Sequence, residues 1–460
     1  MVSTAPAGKP SLKNPYAYDP DDVEEPPRTI WRILQRIGPG MILASSIVGS
    51  GELIATTTLG AEVGYVALWL IIASCFIKPA IQAEFGRYTI ATGATGLEAF
   101  DELPGPRLKV NWVVWAWVAL TFMTRFQIGA MFGGVAQALY YAYPLAPVPW
   151  YVVGLVVLTI ILLLGGGYQR IEKLAAIQVA LFTVLTFLCA LLLLRRPEDF
   201  AWTDMVQGLQ FRLPPDGFAS AVAVFGITGV GASELIIYPY WCVEKGYARF
   251  VGPREPTQAW RSRAFGWVKV MHLDILASMA IYTMATLSFY LLGAGILHSR
   301  NLVPNANEMI PRLSTMYTET LGPWALYLFY LGAIVVLYGT VFASTAADSR
   351  TGADLLHLLG WYPADDYRTR VRYRNIIMCL LSSVGAVFYL VFESPVVMVK
   401  IGGVGQALML PVLAAAALYL RYRRLPREVF PRHWITVGLW VASVATIALM
   451  LYYAVLLVTR

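Results

Sequence analysis

The sequence is poor in charged residues, in histidine and in cysteine. Only 14% of its 460 residues are charged, and it contains four histidines and four cysteines. A soluble globular domain is typically about a quarter charged, so this composition argues against that class. The cysteines lie in or beside apolar segments without metal-type spacing, which favours buried packing over ligation or disulfides. They are Cys75, Cys189, Cys242 and Cys379.

The motifs of common enzymes and a secretion signal are also missing. The sequence has no phosphate-cradling loop, nucleophile elbow or His/Cys zinc array, so we expect neither an enzyme nor a cofactor. Residues 1–30 are rich in Pro, Asp and Glu and lack the apolar core of a signal peptide. We interpret them as a disordered cytoplasmic tail that precedes one transmembrane domain over residues 31–460.

Long apolar segments are what the sequence has in abundance. Apolar residues make up 58% of the chain, and the mean hydropathy is +0.60. A membrane helix needs about 20 mainly apolar residues. Eleven segments qualify, and they predict an all-α integral membrane protein. They lie near residues 38–60, 65–90, 111–141, 149–166, 172–195, 218–243, 265–295, 322–347, 374–393, 397–420 and 434–458.

Basic residues concentrate in alternate loops between these segments. The formal net charge of +7 therefore indicates membrane orientation and not a nucleic-acid partner. The positive-inside rule places the N-terminus in the cytoplasm and, with eleven spans, the C-terminus outside. We expect a protein of the bacterial inner membrane, surrounded by lipid. The sequence leaves the oligomeric state open, and we expect a monomer.

Two apolar segments, residues 48–54 (VGSGELI) and 230–236 (VGASELI), carry nearly the same pattern of glycines and one carboxylate. A charged side chain at membrane depth is costly and normally faces a cavity or a partner. Glycine-interrupted segments at matching places in two halves of a chain indicate the binding site of a transporter. The predicted substrate site comprises Gly49, Ser50, Gly51, Glu52, Gly229, Gly231, Ala232, Ser233 and Glu234.

The chemistry of this predicted site follows from its two glutamates. Small residues also let membrane helices pack closely, so the glycines alone do not decide between packing and binding. Glu52 and Glu234 have no Lys or Arg within one helical turn, so each needs a cation, a proton or water. With carbonyls freed at a helix break, both are candidate metal ligands. They would form an oxygen-rich site suited to magnesium, calcium or manganese. A cationic organic group is the alternative occupant.

Further motifs resemble those of a known family, the Nramp divalent-metal transporters. The resemblance runs from Gly38 to about Pro411. It implies a leucine-transporter-type fold, an inverted 5+5 repeat in which helices 1 and 6 are broken at mid-membrane. The motifs are Gly38-Pro39-Gly40, Gly64-Tyr65, Gln82 with Arg87, Ala91-Thr92-Gly93 and Gln169-Arg170-Ile171-Glu172-Lys173-Leu174.

The signature motifs of that family are replaced in this chain. Gly49-Ser50-Gly51-Glu52 stands where the family has Asp-Pro-Gly-Asn, and Ala232-Ser233-Glu234 stands where it has Met-Pro-His. The thioether that favours soft metals is therefore absent from the motif. Gln127 and Ala130 replace acidic residues of the family's proton path, so we expect no proton coupling by that path. Magnesium-carrying relatives of the family also lack the methionine and part of that path, which makes a hard cation such as magnesium or manganese the predicted substrate.

Other polar residues within the apolar segments have several interpretations. Glu84 and Arg87 are spaced i, i+3 and are expected to form a snorkelling ion pair near the cytoplasmic end of helix 2. Arg125 in helix 3 needs a partner, for which Asp274 in helix 7 is a candidate. His272 is expected to be structural.

A possible coupling-ion site lies in helix 8, where Ser344 and Thr345 are adjacent. Sodium-coupled relatives of the implied fold bind sodium with such a pair, but the same hydroxyls can instead bond to their own helix. Gln406 and Met409 lie near the polar site residue of helix 10 in the family.

Three functional hypotheses follow from the sequence. The first is a transporter of divalent cations in which both glutamates coordinate one ion. The second is a sodium-coupled symporter of an organic solute, with a larger pocket between helices 1, 3, 6 and 8. The third is a receptor-like or structural membrane protein that has lost transport.

Overall fold

The computed structural model describes residues 14–164, 168–214, 217–306 and 308–459, with only the backbone described at 168–179 and 456–459. Eleven long helices, α1–α11, lie at the predicted positions in this part of the chain. They are α1 (Pro39–Val63), α2 (Leu68–Thr92), α3 (Trp112–Ala142), α4 (Val148–Leu164), α5 (Tyr168–Leu193), α6 (Phe218–Lys245), α7 (Gln258–Leu297), α8 (Ala325–Leu358), α9 (Tyr367–Phe392), α10 (Pro395–Arg424) and α11 (His433–Thr459).

Most of these helices have the length and composition of membrane spans. Within the described ranges, nine are long and apolar enough to cross a membrane, while α4 and the apolar part of α5 (Ala180–Leu193) are shorter. Short elements connect them. These are the helices Ile30–Leu34, Gly96–Asp101, Trp202–Gln207, Tyr247–Val251 and Met309–Leu321, the 3-10 turns Pro20–Asp22 and Arg427–Val429, and the antiparallel strands β1 (Arg107–Leu108) and β2 (Val110–Asn111).

Polar side chains and glycines define where the long helices begin and end. The Asn111 side chain accepts a hydrogen bond from the Val113 amide (3.0 Å) at the start of α3. Thr257 similarly caps α7 through the Trp260 amide (3.2 Å). Gly93 ends α2 in the left-handed conformation, with a φ of 79°. Such caps satisfy backbone groups that a helix end leaves without partners.

Helices α1 and α6 form the centre of the bundle. In their most apolar stretches 83% of α1 and 89% of α6 is buried, against 28% for both α9 and α11. The helices α9 and α11 therefore lie at the periphery, where their apolar side chains face the surroundings. A membrane supplies the apolar solvent that such an exposed surface requires.

The predicted interruption of helix 1 takes a different form in the structure. Residues Val48–Thr56 form a π-helix between two α-helical parts, so α1 widens without unwinding. The hydroxyls of Thr56 and Thr57 donate to the carbonyls of Gly51 (2.9 Å) and Glu52 (3.1 Å) and satisfy backbone groups within this stretch. The irregular stretch of α1 still coincides with the predicted site. A π-helical turn inside an α-helix frequently marks a functional position.

Helix α6 is broken, as predicted. Its first half, α6a (Phe218–Ile227), is separated from its second half, α6b (Ala232–Lys245), by residues 228–231. Gly229 adopts a φ of 65° in this break, a backbone conformation that residues other than glycine rarely adopt. The break exposes the carbonyl end of α6a and the amide end of α6b at the centre of the molecule.

The segment before α1 differs from the expected disordered tail. Residues 1–13 lie outside the described residues, whereas residues 14–29 lie against the ends of several helices. The Tyr16 hydroxyl donates to Glu244 (2.8 Å), and the Arg370 guanidinium lies 3.6 Å from the centre of the Tyr16 ring. Asp22 pairs with Arg249 at 2.8 Å. Burial and the adjacent Glu244 carboxylate raise the pKa of Tyr16 well above its usual range.

The expected snorkelling pair in α2 is buried instead. Glu84 and Arg87 are 2% and 1% exposed, and their closest charged atoms are 3.6 Å apart. The main partner of Glu84 is Arg421 of α10, which forms two hydrogen bonds with it, one of them 2.7 Å long. His272 lies 3.2 Å from the Arg87 guanidinium. The predicted i, i+3 pair between Glu84 and Arg87 is therefore present, but the snorkelling was wrong, because Arg421, distant in sequence, folds back onto Glu84 and both charges are buried.

Candidate functional site

A narrow cavity of about 40 Å³ lies between α1, α3, α6, α8 and α10. It extends from the middle of α1 toward the face of the molecule at which α1 begins. A volume of this size holds one ion or very few waters. It is lined by Ile42, Ser46, Ile47, Ser50, Thr124, Arg125, Gln127, Ile128, Met131, Ile227, Ser233, Glu234, Ile237, Trp241, Thr340, Ala343, Ser344, Ala347, Asp348 and Gln406.

Glu234 is the acidic residue in the first turn of α6b, directly after the break. It lines the cavity, and its Oε2 oxygen is buried without a hydrogen-bond partner among the described residues. A buried carboxylate oxygen without a partner is costly. Because the amide end of α6b carries a partial positive charge, the helix itself favours a carboxylate at this position.

A chain of hydrogen bonds holds the polar wall of the cavity across four helices. The Ser233 amide donates to Oε1 of Gln406 (3.1 Å), and the Gln406 amide donates to Gln127 (2.9 Å). Gln127 in turn donates to the Ser50 hydroxyl (2.7 Å). This chain connects α6, α10, α3 and α1, and it fixes the orientation of both glutamine side chains.

The partner of Arg125 is Asp348 of α8, and the suggested pairing with Asp274 is wrong. Arg125 and Asp348 form an ion pair on the cavity wall. Asp274 instead accepts hydrogen bonds from the amides of Gly38 (2.8 Å) and Gly40 (2.5 Å). It therefore caps the start of α1, where the helix dipole favours a negative charge.

Glu52 is fully buried but is not part of the cavity wall. Its Oε1 accepts hydrogen bonds from the Thr286 hydroxyl of α7 (2.7 Å) and the Gly229 amide (3.4 Å). Its Oε2 has no partner among the described residues. Both glutamates therefore lie at the break in α6. Glu52 accepts a hydrogen bond from the Gly229 amide within the break, and Glu234 follows the break in the first turn of α6b. In the described part of the chain, no group of three His, Cys, Asp or Glu side chains has a metal-binding arrangement.

The other predicted site residues divide between cavity wall and close packing. Ser50, Ser233 and Ser344 line the cavity. Thr345 lies outside it and has a buried hydroxyl without a described hydrogen-bond partner, so it does not bond to its own helix. Gly49, Gly51, Gly229, Gly231 and Ala232 are buried and lie outside the wall, as do Ala130 and Met409.

The glycines of the repeat serve close approaches around the site. A Cβ at Gly49 would lie 2.6 Å from Cβ of Thr340, and one at Gly231 would lie 2.5 Å from the Glu234 Oε2 oxygen. Helix α8 can therefore approach α1 only because residue 49 has no side chain.

Sequence reasoning missed Asp348 as a cavity residue. Asp348 follows Ser344 by one helical turn, so it lies on the same face of α8. An acidic residue in an apolar segment at that spacing was the available signal.

Comparisons with known proteins agree with this architecture. Residues 40–456 match the family model "Nramp: Natural resistance-associated macrophage protein-like". The chain is 27% identical over 328 residues to the divalent metal cation transporter MntH of Deinococcus radiodurans, covering 71% of this chain and 69% of that protein. It is 23% identical over 429 residues to MntH of Bacillus subtilis, covering 92% of both.

Solved structures show the same fold. The Eremococcus coleocola manganese transporter, in complex with an aromatic bis-isothiourea substituted compound, superposes with a TM-score of 0.66 at 17% identity. That match covers 93% of this chain and 88% of the other. The nucleobase-cation-symport-1 transporter Mhp1 gives a TM-score of 0.53 at 13% identity, covering 95% and 96%. These likenesses confirm the predicted leucine-transporter-type fold. Because the family model spans nearly all of the helical bundle, this integral membrane protein belongs to the Nramp family.

Proposed function

We propose that the protein transports divalent metal cations and that hard cations such as magnesium or manganese bind in the cavity beside Glu234. The observation that carries this proposal is the Glu234 carboxylate, which lines the cavity and whose buried Oε2 oxygen has no hydrogen-bond partner among the described residues. A divalent cation would supply the missing partner. The matched relatives named as divalent metal cation transporters support the same substrate class.

The size of the cavity favours an ion over an organic solute. Pockets for small organic molecules usually measure about 300 Å³ or more. The cavity here is about 40 Å³, although it lies between the helices at which a solute pocket was expected. We therefore prefer the metal hypothesis to the sodium-coupled symporter, which would require these helices to separate substantially.

The donor atoms around the cavity favour hard cations. Ser50, Ser344 and Gln406 offer neutral oxygens beside the carboxylates of Glu234 and Asp348. Oxygen ligands of this kind suit magnesium, calcium and manganese. Met131 contributes one thioether side chain to the wall, so its replacement by leucine separates a contribution of sulfur from that of the oxygens.

Glu52 is proposed to act together with Glu234. Its Oε1 oxygen is bound to the Gly229 amide within the α6 break, and its Oε2 oxygen lacks a described partner. A movement of that break would release the Glu52 carboxylate of α1 from the Gly229 amide and free it to bind the ion. Both glutamates therefore remain the proposed metal ligands, and Glu234 is the one that faces the cavity.

Orientation and coupling complete the proposal. The basic loops favour a cytoplasmic N-terminus in a bacterial inner membrane. A sodium ion at Ser344 and Thr345 is proposed as the coupling ion, supported by the Thr345 hydroxyl, which has no hydrogen-bond partner in the described part of the chain. A Thr345→Val variant should then lose any sodium dependence of transport, whereas retained dependence would exclude this position.

Flux measurements in proteoliposomes test the proposal. Purified protein should carry manganese or magnesium into vesicles that contain a divalent-sensitive dye, and Glu234→Gln should reduce the rate about tenfold or more, because the ion loses its facing charge. Glu102→Gln is a matched control, since Glu102 lies outside the cavity, pairs with Arg424 at 3.6 Å on the surface and accepts a hydrogen bond from the Tyr88 hydroxyl that glutamine can also accept. Equal flux in both variants would contradict the assignment of Glu234, and no divalent flux in the wild type would contradict the function.

A further inference from the structure

Lys78 of α2 is fully buried at the break in α6. Its ammonium group donates hydrogen bonds to the carbonyl oxygens of Phe225 (2.7 Å) and Thr228, at the end of α6a. The nitrogen also lies 5.2 Å from the centre of the Phe225 ring. The charged end of this side chain is therefore fixed at the carbonyl terminus of a half-helix.

This lysine has carbonyl oxygens where a buried cation normally has a carboxylate. Among the described residues, no carboxylate oxygen forms an ion pair with Lys78. The last carbonyls of a helix lack intrahelical donors and carry a partial negative charge. The Ser74 hydroxyl donates to the same two carbonyls, at 2.9 Å to Thr228 and 3.3 Å to Phe225. Lys78 and Ser74 thus satisfy the end of α6a together.

A buried ammonium at membrane depth is costly and normally pairs with a carboxylate or with backbone carbonyls. Broken helices in transporters present unwound carbonyls and half-helix carbonyl ends that bind monovalent cations. Here the carbonyl end of α6a already binds a positive charge, the ammonium group of Lys78, which belongs to the protein itself. At the next residue of the break, the Gly229 amide donates a hydrogen bond to Glu52.

We propose that Lys78 is a built-in cation, whose ammonium occupies the place that an alkali-metal ion would otherwise take at the carbonyls of α6a. The break then keeps its shape without a bound monovalent cation at this position. Shortening the side chain should convert the same carbonyls into a sodium site. This inference goes beyond the proposed function and does not depend on which substrate the protein carries.

Thermal unfolding of purified protein tests the inference. Lys78→Ala removes the charge and leaves space, whereas Lys78→Met removes the charge and fills the space. In the Thr345→Val background, which removes the other proposed sodium site, each protein is melted in sodium chloride and in choline chloride at equal ionic strength. Sodium should raise the Tm of Lys78→Ala by about 3 °C or more relative to choline, because a ligand of the folded state stabilises it.

The comparison between variants decides the outcome. The protein with Lys78 intact and the Lys78→Met variant should show no such sodium effect. An equal sodium effect in all three proteins, or none in folded Lys78→Ala, would overturn the inference. If Lys78→Ala does not fold in choline, recovery of monodisperse protein after extraction in sodium chloride supports the inference, and failure in both salts overturns it.

Discussion

Arg125 of α3 and Asp348 of α8 form an ion pair on the wall of the cavity that Glu234 also lines. The pair joins α3 and α8 at the cavity. It balances one of the two carboxylates in the cavity and leaves the charge of Glu234 available. The electrostatics of the proposed metal site therefore depend on Asp348 as well as on Glu234.

Replacing Asp348 with asparagine should destabilise the protein. The Arg125 side chain is 2% exposed, so it would remain buried without its counterion. Breaking such a pair typically costs about 3 kcal/mol. The measurement is thermal unfolding of Asp348→Asn, Arg125→Gln and the double variant. The double variant should be more stable than the sum of the single effects predicts, and strict additivity would show that the pair does not couple α3 to α8.

Glu84→Gln in α2 should be strongly destabilising, because Glu84 pairs with Arg421 at the end of α10. Glu84 and Arg421 are both 2% exposed, so losing one charge leaves the other buried, at a cost of about 3 kcal/mol. Glu102→Gln provides the control, because Glu102 and Arg424 are 43% and 46% exposed. An exposed pair contributes at most about 1 kcal/mol. Equal shifts in the Tm of the two variants would contradict this difference.

Gly226→Ala should disturb the contact between α6a and α10. An added Cβ would lie 2.6 Å from the Ala407 amide nitrogen and would also overlap the Gly403 carbonyl oxygen. Since backbone atoms must move, the expected cost is about 1–3 kcal/mol. In α4, an added Cβ at Gly154 meets no atom of the described residues within 4 Å. Gly154→Ala should therefore be neutral or slightly stabilising in the same unfolding assay. Equal stability of the Gly226→Ala and Gly154→Ala proteins would contradict the prediction.

The positions of the helices were predictable because membrane spans have a strong compositional signal. The repeated pattern around Glu52 and Glu234 also located the irregular parts of α1 and α6. It could not distinguish a π-helix from a break. Gly229 is needed for its positive φ, whereas Gly49 is needed because Thr340 approaches closely. The sequence alone does not distinguish a glycine required for its backbone conformation from one required for close helix packing.

Partners across the bundle could not be predicted from one sequence. Arg125 and Asp348 are 223 positions apart, and Glu84 and Arg421 are 337 apart. No local spacing connects such residues, so the nearer candidates, Asp274 and Arg87, were considered first. The same reason explains why the chain from Ser233 through Gln406 and Gln127 to Ser50 was not foreseen.

Transport should proceed without proton movement along α3. Gln127 does not titrate, and it is bound between Ser50 and Gln406. A proton relay through a membrane needs titratable side chains, which Gln127 and Ala130 do not provide. Divalent flux into proteoliposomes with a luminal pH dye should leave the dye signal unchanged. Acidification that depends on substrate and persists in Glu52→Gln and Glu234→Gln would contradict this prediction.

The most direct test of the central claim is isothermal titration of purified protein with magnesium, manganese and cadmium. The wild type should bind the hard cations at least as well as cadmium, and Glu52→Gln and Glu234→Gln should each weaken binding, with Glu234→Gln doing so by about tenfold (1.4 kcal/mol). Met131→Leu should leave magnesium and manganese binding unchanged. A strong cadmium preference in the wild type, or unchanged cation binding when both glutamates are replaced, would contradict the metal assignment and favour an organic solute.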